Sequence, residues 1–201
     1  MRLDCGTLTY YDKDENSFAA LGHGIEDVDT GKLLNISNGE LVTGKIVSII
    51  KATNKKAGEI RGIIEDGEEV GEVKKNTQIG VYGDVTNIEY INSVVREPLE
   101  VATRDEIKIG KASIICELRN GETDEYEIEI KKIYKSNVSD NKSMYIKVTD
   151  DRLLELTGGI IPGMSGTPII QNGKFIGAIT NVLLNDPTKG YAIFADMMVK
   201  N

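Results

Sequence analysis

Short runs of alternating apolar and polar residues follow one another along most of this chain, separated by glycine, asparagine and aspartate. Alternation with a period of two is typical of strands that bury one face, and no stretch keeps the 3.6-residue period of a long helix. The strongest hairpin signal is Asn120-Gly121, which separates two alternating runs. Strands are predicted at residues 6–11, 18–21, 32–36, 41–52, 59–64, 78–85, 100–103, 111–118, 126–134, 143–149, 167–171, 175–184 and 191–194.

Many short strands at regular spacing predict an all-β fold of barrels or a sandwich. One short helix is expected at residues 150–156, with Thr149 or Asp150 as its N-cap. The chain divides most naturally near residues 96–98, which gives halves of about 1–95 and 96–201. Further turn signals are Asn38-Gly39, Asp66-Gly67, Gly83-Asp84 and Asn172-Gly173.

Composition narrows the classes of partner. An apolar content of 40% in 201 residues is enough for one sizeable domain or two small barrels. A net charge of −8 argues against nucleic acid and anionic membrane surfaces, because both need clustered lysine and arginine. No run reaches the roughly 18 apolar residues of a membrane span, and no signal segment opens the chain. Because strand-like sequence begins almost at once, we expect the chain to be an excised fragment.

Cysteine and histidine usage predicts neither a metal nor a cofactor. Cys5 and Cys116 are far apart and form no C-x-x-C pair, so a zinc cluster or thiol redox motif is not indicated. Cys116 lies in a strand-like run, where a buried inert thiol is expected, and a disulfide to Cys5 stays open. The chain has a single histidine, whereas catalytic zinc takes two or three.

A glycine-flanked serine is the first candidate for chemistry. Its hydroxyl needs an exposed tight turn where a base can reach it, and glycines permit such a turn. The amides of Gly163 and Ser165 can then point at one spot and bind a developing oxyanion. Alternatively the segment is only a turn between two strands. The run is Gly163-Met164-Ser165-Gly166-Thr167-Pro168.

The histidine is the second candidate. His23 stands between two glycines at the end of a predicted strand, not on an apolar face. A serine nucleophile of this kind needs an imidazole as general base. The two residues together predict a serine peptidase in which Ser165 is the nucleophile and His23 the base.

These motifs resemble the peptidase domain of the stage IV sporulation protein B family, the SpoIVB-type serine peptidases (peptidase family S55) of spore-forming Firmicutes. The resemblance covers nearly the whole chain and implies a chymotrypsin-like double β-barrel, with His23 in the first barrel and Ser165 in the second. The residues that carry it are Leu21-Gly22-His23-Gly24-Ile25, Thr157-Gly158-Gly159-Ile160 and Gly163-Met164-Ser165-Gly166-Thr167-Pro168-Ile169-Ile170.

By the same resemblance the family's acid falls on Asp150, fifteen positions before the serine, where it would orient the imidazole. Asp27 and Asp29, just after His23, are rival acids, and a Ser–His dyad without an acid is a further alternative. Asp150 could instead serve only as a helix cap.

Analogy with the fold also suggests where substrate binds. The strand carrying Thr180, Asn181 and Val182 would pair with an extended substrate backbone, and Gly190 and Tyr191 would wall the pocket for the side chain before the cut. All five could also be simply core-strand residues of the second barrel.

One departure concerns activation. Digestive relatives have an aspartate before the serine that pairs with a new N-terminus, and Met164 at that position cannot do so. Activation by that switch is not expected.

The resemblance implies an endopeptidase of narrow specificity. It would be secreted across the forespore membrane into the space between forespore and mother cell, where it would cut a membrane-tethered regulatory protein and so trigger late sigma-factor activation. Family members usually carry a membrane segment and a PDZ domain before the peptidase domain, and neither is found in this chain. The alternative is a non-catalytic barrel that binds extended peptides. An α/β-hydrolase is not supported, because the run lacks the second glycine of G-x-S-x-G.

Overall fold

A computed structural model describes residues 5–36, 38–64, 67–119, 121–134 and 141–200. The all-β prediction is confirmed: strands dominate, with three short helices among the described residues. The first half contains β1 (Leu8–Asp12), β2 (Ser17–Ala20), β3 (Gly39–Val42), β4 (Lys45–Ile50), β5 (Glu59–Ile63), β6 (Glu69–Thr77), β7 (Gly80–Val85) and α1 (Ile88–Val94). The second contains β8 (Gly110–Arg119), β9 (Glu122–Ile133), β10 (Met144–Val148), α2 (Asp151–Thr157), β11 (Pro168–Gln171), β12 (Lys174–Val182), β13 (Lys189–Phe194) and α3 (Ala195–Val199).

The second half forms a closed six-stranded barrel in the order β10-β13-β12-β11-β8-β9. Its strands alternate as the sequence predicts, since every second residue of β8 points inward. The interior is filled by aliphatic and aromatic side chains with no exposed surface, which supply the hydrophobic free energy of this half. They include Ile114, Ile128, Ile130, Ile146, Val148, Ile169 and Phe194.

The first half is built differently. Five strands form an antiparallel sheet in the order β1-β2-β7-β6-β3, and its end strands β1 and β3 do not pair with each other in the described part of the chain. Phe18, Val70, Val81, Val85 and Ile91 form the core beneath it. The structure therefore has an open sheet where the resemblance implied a second closed barrel.

The β4–β5 hairpin stands apart from that sheet and packs on the barrel instead. Ile49 and Ile60 pack against the barrel core. Main-chain hydrogen bonds from Ala52 N to Thr157 O (2.8 Å) and from Ile60 N to Pro162 O (3.1 Å) join the hairpin to the segment that follows α2. The hairpin thus supports the chain just before Ser165.

Element prediction succeeded best in the barrel. The predicted helix is α2, with Asp150 as its N-cap. The Asn172-Gly173 turn links β11 to β12 with φ of +53° and +75°, as a two-residue hairpin turn requires. β8 and β9 pair on either side of the predicted Asn120-Gly121 turn, although Asn120 itself lies outside the described residues.

Several predictions in the first half, and one early in the second, were wrong. The predicted strands at 32–36 and 100–103 are reduced to single bridges, and the strand at 41–52 is split between β3 and β4. Gly83-Asp84 lies inside β7, not in a turn, and β6 was missed. Asp66 of the Asp66-Gly67 signal lies outside the described residues. No helix in the described ranges is long and apolar enough to span a bilayer.

Candidate active site

Ser165 lies on the segment that joins α2 to β11. The segment turns sharply because Gly163 and Gly166 adopt φ of +100° and +89°, which side chains with a Cβ rarely allow. Met164 anchors the turn from below, since its side chain is 1% exposed in the barrel core. Ser165 is half-buried, and its Oγ donates a hydrogen bond to Thr180 O at 3.4 Å. The serine hydroxyl therefore stands at the barrel surface beside β12.

The backbone amides of this turn alternate in what they bind. Met164 N donates to Ile161 O at 3.0 Å, and Gly166 N donates to Ile179 O at 2.8 Å. Within the described residues, Gly163 N and Ser165 N donate to no protein group. Two unused donors that flank a nucleophile are what an oxyanion requires, so both residues stay candidates for that role.

The residues immediately before His23 form a strained turn. Leu21 has φ of +73°, and Gly22 N donates to Ala20 O at 3.0 Å, which is the i to i+2 bond of a γ-turn. A positive φ at a bulky residue costs free energy of order 1–3 kcal/mol and is found chiefly where a functional site demands it. A Cβ on Gly22 would lie 3.2 Å from both Ile179 O and the Thr180 side chain. The residue before His23 therefore touches the same part of β12 as Ser165.

The tautomer of the histidine follows from its hydrogen bond. His23 Nδ1 lies 2.9 Å from Gly24 O. A carbonyl oxygen can only accept, so Nδ1 carries the proton of the neutral ring, which leaves a lone pair on Nε2. A neutral imidazole with Nε2 unprotonated is the form that acts as a general base toward serine.

His23 lines a cleft of about 330 Å³ with Asn181, one of the predicted substrate residues. Four lining residues were missed by sequence reasoning: Glu26, Gln78, Asn141 and Lys142. Glu26 could have been suspected because it follows His23 by three positions. The other three come from two distant connections, and only the folded chain brings them to the cleft.

The structure does not bring Asp150 to the imidazole. Its carboxylate accepts hydrogen bonds from the backbone N–H of Arg152 (2.9 Å), Leu153 (3.4 Å) and Glu127 (3.2 Å), and it pairs with the Arg152 guanidinium at 2.9 Å. The guanidinium holds the pKa of this carboxyl below its usual value. All of these partners are structural ones.

Distance along the barrel leads to the same conclusion. Lys142, which shares the cleft with His23, precedes β10, and Asp150 follows the opposite end of that strand. At about 3.3 Å per residue, the five residues of β10 alone span about 13 Å. This geometry favours the helix-cap alternative for Asp150, and its role as the triad acid stays a prediction.

The rival acids Asp27 and Asp29 lie between the bridged residues Glu26 and Leu33. Asp27 Oδ1 accepts from Thr30 N (2.9 Å) and Thr30 Oγ1 (2.8 Å), which closes a local turn, and Asp29 is exposed beyond it. In the described residues, no group of three or more histidine, cysteine or acidic side chains is arranged to hold a metal ion. No disulfide joins Cys5, which is exposed, to the buried Cys116, and burial raises the pKa of the Cys116 thiol to about 12.

The predicted substrate residues lie where β12 meets β13. β12 pairs with β11 only as far as Ala178, and Ile179 is bound by the serine segment. On that side, residues 180–182 have no strand partner in the described chain. Opposite β13, the register shifts between Ile179 and Asn181, so Thr180 is a β-bulge. The bulge aims its carbonyl at Ser165.

The two residues predicted to wall the side-chain pocket lie on β13. Gly190 is buried, and a Cβ there would lie 2.7 Å from the Ile160 side chain. Tyr191 is half-buried, and its ring is tilted by 51° from that of Tyr145, with the ring centroids 5.5 Å apart. Gly190 and Tyr191 are thus strand residues next to the site, backed by core side chains.

Comparison with known proteins supplies the family. The active form of the Rv3671c protease from M. tuberculosis is 16% identical over 78% of this chain and 70% of that chain, with a TM-score of 0.47. The inactive form of the same protease is 13% identical over 76% of this chain and 84% of that chain, with a TM-score of 0.41. Deg5 is 14% identical over 92% of this chain and 64% of that chain, with a TM-score of 0.42. Comparison with curated proteins gave no match. The SpoIVB peptidase S55 family profile matches residues 3–199, nearly the whole chain. The chain therefore belongs to the SpoIVB peptidase S55 family and is a serine endopeptidase.

Proposed function

We propose that Ser165 and His23 are the nucleophile and general base of a peptidase that cuts extended protein segments. The observation that carries this proposal is their convergence on one residue of the barrel. Ser165 Oγ bonds to Thr180 O, and Gly22, next to His23, packs against the Thr180 side chain. The turn that carries Ser165 and the glycine that precedes His23 thereby meet at the same bulge, which supports a shared site for the two side chains.

In the first chemical step, Ser165 Oγ attacks the scissile carbonyl carbon and its proton passes to His23 Nε2. The bond from Nδ1–H to Gly24 O keeps the ring oriented while it becomes an imidazolium. The imidazolium then gives its proton to the departing amine, and the acyl-enzyme remains on Ser165. Water repeats the sequence to release the second product.

The carbonyl oxygen of the substrate becomes negatively charged in this step. The N–H groups of Gly163 and Ser165 supply two donors that no protein group in the described chain uses. Removing one such donor typically lowers the rate about 10²- to 10³-fold.

Substrate would bind by strand addition along Thr180, Asn181 and Val182. No described strand pairs with them on the β11 side, and Thr180 O is bound there only by Ser165 Oγ, so an extended peptide can add along this edge with its scissile bond beside Ser165.

Covalent labelling tests the catalytic proposal. A serine-directed fluorophosphonate probe should label the wild type, whereas Ser165→Ala and His23→Ala should lose labelling. Ser48→Ala, which removes an exposed serine of β4, is the matched control and should label like the wild type. Wild-type labelling no stronger than that of Ser165→Ala would contradict the proposal and favour the peptide-binding barrel.

The finer role is proposed from the family. We propose that this enzyme is secreted from the forespore into the space between forespore and mother cell, where it cuts a membrane-tethered regulator with narrow specificity and triggers late sigma-factor activation. The family match supports this role. A strain of the source organism carrying Ser165→Ala should make normal amounts of the protein but fail to activate the late sigma factor. Normal activation in that strain would contradict the role.

A further inference from the structure

Two residues near the start of the chain, Gly6 and Thr7, lie between the serine segment and the histidine turn. Thr7 N donates to Ser165 O at 2.9 Å, and Leu21 N donates to Thr7 O at 3.2 Å. The single N–H and single C=O of Thr7 therefore bind one catalytic segment each. The side chain adds a third contact, from Thr7 Oγ1 to Thr167 Oγ1 at 3.3 Å.

The bond to Ser165 acts on a peptide group that is held at both ends. Its C=O, from Ser165, accepts from Thr7, and its N–H, from Gly166, donates to Ile179 O at 2.8 Å. A peptide group bound on both sides is held against rotation, which restrains ψ of Ser165 and φ of Gly166. The Cα of Ser165, which carries the side chain with Oγ, lies in the plane of this peptide group and is held with it.

Packing leaves this arrangement little freedom. A Cβ on Gly166 would lie 2.5 Å from Thr7 O and 2.6 Å from Leu21 N. A Cβ on Gly6 would contact the Leu21 side chain and lie 3.2 Å from Ser165 O. Main chain from three separate segments is therefore in direct contact at this point.

We propose that Gly6 and Thr7 form a clasp that positions the nucleophile and the base relative to each other. Thr7 is a positioning residue: it touches no substrate and acts through the backbone of Ser165 and Leu21. Loss of the Thr7 N–H frees the Ser165–Gly166 peptide group to rotate, and a misplacement of about 1 Å at a reacting atom can cost about 10²-fold in rate. The clasp rests on the proposed roles of Ser165 and His23.

The main test compares Thr7→Pro, which removes the N–H, with Thr7→Ala, which keeps it and removes only the hydroxyl. For Thr7→Pro we expect kcat for a peptide substrate to fall about 10- to 100-fold with KM close to that of the wild type. Thr7→Ala should stay within about threefold of the wild type, because the main-chain bond remains. Unfolding midpoints of all variants are measured in parallel.

Gly6→Ala is the second variant, because Gly6 is exposed and its added methyl group would press on Ser165 O. The same methyl group would displace the side chain of Leu21, a core residue, so we expect kcat to fall several-fold and the unfolding midpoint to fall with it.

The outcomes separate this proposal from the catalytic one. A wild type that fluorophosphonate does not label overturns the catalytic roles and the clasp with them. If the wild type is active and a folded Thr7→Pro variant has a kcat within twofold of the wild-type value, the clasp alone is overturned. Should Thr7→Pro not fold, Gly6→Ala decides, and wild-type kcat in that variant overturns the clasp.

Discussion

At the scale of single residues, Asp150 is the position at which a structural role for a carboxylate can be told apart from a catalytic one. Its side chain caps α2 and pairs with Arg152, whereas Nδ1 of His23 is bound by a backbone carbonyl. Asparagine caps a helix about as well as aspartate but cannot serve as the acid of a triad. The Asp150→Asn variant therefore distinguishes the two roles.

We expect Asp150→Asn to keep kcat within about threefold of the wild type, while Asp150→Ala loses about 1 kcal/mol of stability through the missing cap. Peptidase assays and urea unfolding of both variants measure these effects. A fall in kcat of about 10⁴-fold in a folded Asp150→Asn variant would instead restore the triad.

The same carboxylate predicts a pH effect with a definite sign. Arg152 lowers the pKa of Asp150 in the folded state, so the stability that its charge contributes is present above its ordinary pKa and is lost as the pH falls below that value. Asp150→Asn should flatten the stability profile in this acid range.

The candidate nucleophile and base could be predicted because local sequence marks them. Glycines surround both Ser165 and His23, and glycine is what a sharp turn at a reactive side chain requires. The acid could not be assigned in this way, since a helix cap and a triad acid have the same side chain. Asn141 and Thr7 carry no local signal, because their roles arise from contacts between segments distant in sequence.

At the scale of secondary-structure elements, a comparison of two glycines shows how much close packing adds to the cost of a strained backbone conformation. Gly158 ends α2 with φ of +76°, and a Cβ there would lie 3.0 Å from the carbonyl carbon of Ala52. Gly173 has φ of +75° in the β11–β12 turn, and a Cβ there would meet nothing within 4 Å. Their backbone conformations match while their surroundings differ.

We expect Gly173→Ala to cost about 1 kcal/mol, which is the cost of a left-handed conformation alone. Gly158→Ala should cost clearly more, because it must also push the β4–β5 connection off the helix end. Urea unfolding of the two variants tests this ordering. Equal losses would show that the contact with Ala52 yields without cost.

Elements of the barrel were predictable for a physical reason that does not hold for the open sheet. β8 buries every second residue, so its pattern alternates. β6 buries only Val70 and Gly71, and most of its other side chains are charged or polar, so it has no clear period. Its place is decided by pairing with β7 and β3, which sequence alone does not reveal.

At the scale of the whole molecule, the two halves are joined through the segment around Ser165. Thr7, Ala52 and Ile60 from the first half all form main-chain hydrogen bonds with residues 157–165 of the second. Neither the open sheet nor the hairpin can then unfold without disturbing the barrel.

We therefore expect one cooperative thermal transition, with far-ultraviolet circular dichroism and the near-ultraviolet tyrosine signal changing together. Tyrosines in both halves report on both structures. Two steps within either signal would show that the halves unfold independently.

The unpaired edge at residues 180–182 has a consequence for target selection. A strand edge accepts only backbone that is already extended, so a segment held in a helix or in the interior of a sheet cannot be cut until it unfolds locally. The free energy of that local opening adds directly to the barrier for cleavage. Two targets with identical cleavage sequences would then be cut at different rates, ranked by how readily each releases that segment from its own fold.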